Sequence, residues 1–171
     1  AKAAFALGGF GEEAKATVPD LIALFKDRDE QVRASAAAGL GEIGPAAKSA
    51  VPGLIGLLKD SDPEVRLNAA ATLGAFGGDA KSADRAILPL LKDRDEGVRG
   101  QAAETLGKLG ADPKLVVPAL TAALADKHPG VRGDVAHALA SFKEKAKSAV
   151  PALTKMLKDA DHGVRVHAAE A

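Results

Sequence analysis

One property limits what this chain can fold into: it repeats itself every 33 residues without an insertion. Val32-Arg33 recurs as Val65-Arg66, Val98-Arg99, Val131-Arg132 and Val164-Arg165, and a lysine recurs at 15, 48, 81, 114 and 147. A reacting group is needed once, so a pattern copied this faithfully is architectural. Units of this size cannot bury an apolar face alone, and they gain stability only by stacking on their neighbours.

Each unit reads as two short helices. In the second unit the segment "VPGLIGLLK" places Leu54, Ile55, Leu57 and Leu58 at helical spacing, with Pro52 in the first turn, where a missing N–H costs nothing. The next segment opens with Asp62 as N-cap and Pro63 as first helical residue. Val65, Ala69, Leu73 and Phe76 then share one face, and Gly77 ends the helix. An alanine pair at 36-37, 69-70, 102-103 and 168-169, with Val135-Ala136 in its place once, lets the second helices approach closely. Composition agrees with this: with no Trp, Tyr or Cys and only five Phe and one Met, the core must come from small aliphatic residues.

Val-Pro, then Asp-x-Asp-x-x-Val-Arg, then Ala-Ala-x-x-Leu-Gly resembles the HEAT-like repeat family over the whole chain, particularly the short bacterial form also found in phycobilin lyases. Ankyrin repeats share the period, but their Thr-Pro-Leu-His signature is absent, and the Trp and Tyr of tetratricopeptide repeats cannot be supplied. The resemblance implies an all-α, right-handed α-solenoid of two-helix repeats. The expected divisions are a partial repeat at 1–11, full repeats at 12–44, 45–77, 78–110 and 111–143, and a partial repeat at 144–171. Because residues 3–11 match 36–44 and the chain stops within a second helix, a fragment of a longer array is expected.

The resemblance also implies a structural ladder between successive turns, built from Asp27, Asp60, Asp93, Asp126 and Asp159 with Arg33, Arg66, Arg99, Arg132 and Arg165. Each Asp precedes an Arg by six residues. On that reading every guanidinium has its own carboxylate, and the arginine row is neutralised rather than anion-binding.

Departures from the repeat show where local accommodation or function is written. Asp84-Arg85 replaces Val-Pro in the third unit and Pro89 follows, which should delay or kink that helix. His128 replaces the capping Asp, and "SFKEK" (141–145) replaces a glycine-ended turn. The positions two, five, six and nine after each Arg form one stripe, expected to face the concave side. They read Ser35, Ala38, Gly39, Glu42; Asn68, Ala71, Thr72, Ala75; Gln101, Glu104, Thr105, Lys108; and Asp134, His137, Ala138, Ser141. Lys2 and Phe5 extend the row at one end, His167 and Glu170 at the other. Variable polar residues on a constant frame suit a protein or peptide partner; solvation is the plainer alternative.

Asp134, His137, His167 and Glu170 form a weak candidate metal or acid–base cluster, since carboxylate and imidazole are its usual donors. Helices packed about 8–10 Å apart make convergence on one ion demanding. No phosphate loop, His-Glu-x-x-His or Gly-x-Ser-x-Gly occurs. Basic and acidic residues balance at 23 each, against the basic excess of a general nucleic-acid binder, and no apolar run approaches the roughly 20 residues of a membrane span. The expectation is a non-enzymatic scaffold without cofactor, nucleic acid or membrane, and with cytoplasmic placement. The alternatives are a phycobilin-lyase-like chromophore-handling protein, a DNA-handling array, and a spacer that associates end to end.

Overall fold

The computed structural model describes residues 11–171. Among them the chain is helical throughout and forms an all-α solenoid with no strand. Its α-helices are α1 (Val18–Ala23), α2 (Glu30–Ile43), α3 (Val51–Leu57), α4 (Pro63–Phe76), α5 (Asp84–Ile87), α6 (Glu96–Lys108), α7 (Pro113–Ala123), α8 (Pro129–Ser141), α9 (Val150–Met156) and α10 (His162–Glu170). Odd-numbered helices are the first of each pair and even-numbered helices the second. None is long and apolar enough to cross a membrane.

Local chemistry sets where the second helices begin. Asp29, Asp62, Asp95 and Asp161 each stand in extended backbone ahead of a helix, and their carboxylates accept from N–H groups of its first turn. Those N–H groups have no partner within the helix, so the cap supplies one. His128 occupies the same place before α8 and makes no capping bond.

The core is continuous from one pair to the next. Val65, Ala69 and Leu73 are fully buried and Phe76 nearly so, as the spacing requires. The alanine pairs 36-37, 69-70 and 102-103 and Val135-Ala136 are also fully enclosed. A second set of small residues works beside them. A side chain added at Gly41 would place its Cβ 2.9 Å from Thr72 Oγ1, and one at Gly74 would lie 3.2 Å from Thr105 Oγ1. At Gly107 the distance to Ser141 Oγ would be 3.0 Å. These glycines lie inside α2, α4 and α6 and admit the next second helix; among the described glycines Gly44, Gly77 and Gly110 alone carry the positive φ that serves a turn.

The first helices vary more. Most are short α segments reached through a 3-10 segment: Gly44–Ala50, Gly77–Ala83 and Lys143–Ala149. Pro89 does not delay the third one but changes its winding: α5 spans Asp84–Ile87 and the chain continues as 3-10 helix over Leu88–Lys92. In the fourth pair the 3-10 segment is absent. Asp112 caps a longer α7 that starts at Pro113, so Pro118 sits inside a helix instead of opening one. The Asp-Pro at 112-113 is a helix start that the Val-Pro pattern obscured.

Candidate functional site

The arginine row is a ladder that links the turn of each repeat to the turn of the next. Arg33 Nε and Nη2 donate to Asp60 at 2.8 and 2.9 Å, so the carboxylate lies 27 residues ahead, in the next repeat. Arg66–Asp93, Arg99–Asp126 and Arg132–Asp159 repeat this two-pronged pairing. The Asp six residues earlier contributes only its backbone: Arg33 Nη1 donates to the carbonyl oxygens of Asp27 and Arg28 at 2.8 and 3.2 Å. One guanidinium therefore ties its own turn to the following one, matching the planar fork to a carboxylate. Arg165 donates to the carbonyls of Asp159 and Ala160 and holds no carboxylate among the described residues, while Asp27 caps the Asp29 N–H.

The electrostatics follow from the pairing. The Arg33 fork holds Asp60 below the usual carboxylate range, and Arg99 and Arg132 do the same for Asp126 and Asp159. Burial alone would raise Asp93, yet the Arg66 fork and the Asp95 N–H outweigh it and the net shift is downward. Arg66 and Arg99 are almost fully enclosed, with 5% of each surface exposed. They are parts of the frame.

The face of the second helices divides in two. Ser35, Asn68, Gln101 and Glu104 are half-buried, while Glu42, Lys108, Asp134, His137, Ser141 and Glu170 are exposed. Thr72 and Thr105 do not belong to this open surface. Thr105 Oγ1 donates to the Ala70 carbonyl at 2.9 Å and Thr72 Oγ1 to the Ala37 carbonyl at 2.8 Å, bonds that stitch successive second helices together. The position six after each Arg turns into the seam between successive second helices. Gly39 and Ala138, at the same position, are buried as well. Lys2 and Phe5 lie outside the described residues.

Within the open part, Gln101 Nε2 donates to Glu104 Oε2 at 3.2 Å, and Lys108 Nζ pairs with Glu104 Oε1 at 2.7 Å. A shallow cleft of about 200 Å³ separates α2 from α4, with Glu42, Asn68 and Ala75 on its walls. Larger hollows lie at the loops joining one pair to the next.

The His and carboxylate group comes close without converging. The rings of His137 and His167 meet edge to face with centroids 6.5 Å apart, and His167 Nδ1 lies 3.7 Å from Glu170 Oε2. Both neighbouring glycines are occupied by this group: the Asp134 carboxylate lies against Gly100, and the His167 ring edge lies where a Cβ on Gly133 would be 2.9 Å away. Although Asp134 as a whole is exposed, its carboxylate packs against Gly100, and that partial desolvation, then the nearby Glu104, push it up, with His167 and His137 opposing. Among the described residues no set of three or more His, Asp or Glu is placed to hold a metal ion.

With this geometry the sequence can be compared with known proteins. The HEAT repeats family matches at residues 18–87, 51–140 and 85–171. The chain belongs to the HEAT repeat family. No curated protein matches the HEAT array significantly in sequence. Solved structures similar to it include an engineered protein, at 24% identity and a TM-score of 0.72, covering 99% of this chain and 87% of that one. Computationally designed armadillo repeat proteins for modular peptide recognition give 22% identity and a TM-score of 0.73, covering 98% and 88%. The complex of CpcE and CpcF of phycocyanin lyase from Nostoc sp. PCC7120 gives 24% and 0.69, covering 90% and 96%. At these identities the likeness is one of fold.

Proposed function

We propose that this HEAT array is a non-enzymatic scaffold that holds a protein or peptide partner along the concave face of its second helices. One observation carries the reading. On that face the frame uses every buried position for its own packing, while Ser35, Glu42, Asn68, Gln101, Glu104, Lys108, Asp134, His137 and Ser141 remain open and differ from repeat to repeat. A rigid row of second helices offering a different polar side chain at each step can read an extended segment with little ordering cost. The designed armadillo relatives in fold recognise peptides modularly, which supports the same use of a solenoid face.

The test compares capture of partners by the native chain and by Gln101→Ala/Glu104→Ala/Lys108→Ala, with helicity measured for both. Apart from a long Gln101 Nε2 bond to Thr105 Oγ1 at 3.3 Å these side chains contact one another, so the fold should persist. A partner held by the native chain and lost by the variant supports groove recognition. Equal capture by both moves the binding surface elsewhere.

A further inference from the structure

Where three successive repeats carry Gly44, Gly77 and Gly110, with φ of 74°, 53° and 59°, the fourth carries Lys143 with φ of 50°. The left-handed region is open to glycine and costs a residue with a Cβ about 1 kcal/mol. No hydrogen bond or ion pair of the Lys143 side chain offsets that cost among the described residues. What the substitution does is put an ammonium group at the rim of a hollow.

That hollow, of about 870 Å³, lies at the loops that join the second pair to the third, the third to the fourth and the fourth to the fifth. Lys81, Lys143 and Lys145 line it together with Ala111, Pro113 and Phe142. A second hollow of about 530 Å³ adjoins it through Asp112, Pro113 and Lys145 and adds Lys114. They open where the 3-10 segment of the other repeats is replaced by the early start of α7.

Its charges are unbalanced in use. Asp112 accepts the Lys114 N–H at 3.0 Å as the cap of α7, and Glu144 is taken by Lys147 at 2.5 Å. Lys48 and Lys108 likewise have partners, Asp79 and Glu104. Lys81, Lys114, Lys143 and Lys145 have no ion pair among the described residues. Lys81, Lys143 and Lys145 thus line one recess without an ion-pair partner, beside the Asp112 and Glu144 carboxylates, and Lys114 lines the hollow next to it.

We propose that this recess binds an acidic peptide segment, Asp and Glu carboxylates meeting Lys81, Lys143 and Lys145 while their aliphatic stems lie on Pro113 and the rim of Phe142. A nucleic acid fits the recess poorly. The chain carries no charge excess, has no Trp or Tyr to stack bases, and places Glu144 and Asp112 among the lysines. A lone phosphate is too small to engage ammonium groups spread around so large an opening. The recess reaches the second-helix face at Gly107 and Ser141, while its lysines stand on the loops, so variants of those lysines test it apart from Gln101, Glu104 and Lys108.

The test is fluorescence anisotropy of labelled hexaglutamate at low and at physiological ionic strength. Exposed ion pairs give about 0.2–1 kcal/mol each, so Lys81→Ala/Lys143→Gly/Lys145→Ala should weaken binding about tenfold. Lys143→Gly restores the residue the turn favours, so loss of fold is not the cause of a loss of binding. Lys155→Ala/Lys158→Ala, on distant surface, should leave the affinity unchanged, as should the groove variant at Gln101, Glu104 and Lys108. Equal affinity of the triple variant and the native chain overturns the proposal. So does an equal loss in the Lys155/Lys158 control, or displacement of the peptide by inorganic phosphate or oligothymidylate at matched charge.

Discussion

The ladder register can be tested by paired double-mutant cycles on Arg99. Its Nε and Nη2 donate to Asp126 at 2.6 and 3.0 Å, and the two side chains are only 6% and 12% exposed. Asp93, six residues before Arg99, offers it a backbone carbonyl at 2.9 Å and spends its carboxylate on Arg66. Hydrogen bonds to charged groups contribute about 1.5–3 kcal/mol net of the water they replace. A coupling of about 2 kcal/mol is therefore expected for Arg99 with Asp126. Arg99 with Asp93 should couple by less than about 0.5 kcal/mol. The variants are Arg99→Met, Asp126→Asn, Asp93→Asn and the two doubles. Urea unfolding followed by circular dichroism reads them, because a chain without Trp or Tyr gives almost no fluorescence signal. Comparable couplings, or a larger one for Asp93, would refute pairing across the repeat boundary.

Three further outcomes are expected. His128→Asp should stabilise the chain by about 1 kcal/mol, read as a higher urea midpoint, because α8 is the one second helix whose N-cap makes no side-chain bond among the described residues. Acid should weaken the ladder: Asp60, Asp93, Asp126 and Asp159 are held below the ordinary carboxylate value, so their contribution is complete above about pH 4 and is lost as pH falls through the lower folded values. Asp134 runs the other way: its raised pKa penalises the ionised form, so Asp134→Asn should raise the urea midpoint at neutral pH and leave it unchanged well below pH 4.

What could be read from the sequence is what a few neighbouring residues decide. The helix pairs, the Asp caps at 29, 62, 95 and 161, and the buried face of Val65, Ala69, Leu73 and Phe76 follow from spacing and local hydrogen bonding, while the identity of the ladder residues came from the resemblance to HEAT-like repeats. The Asp112-Pro113 start of α7 was also written there, masked by the repeat it departs from. The remainder was decided by how one repeat sits on the next. That Arg33 reaches Asp60 and not the Asp27 carboxylate depends on the rise between repeats, a distance no local pattern contains. The same stacking turned Thr72 and Thr105 from candidate binding residues into buried donors, and made Gly41, Gly74 and Gly107 contact points between helices. It also gathered Lys81, Lys143 and Lys145, from three different places in the chain's repeat pattern, around one hollow. Periodicity specifies the unit because a helix is a local object; contacts between units exist only once those helices have packed.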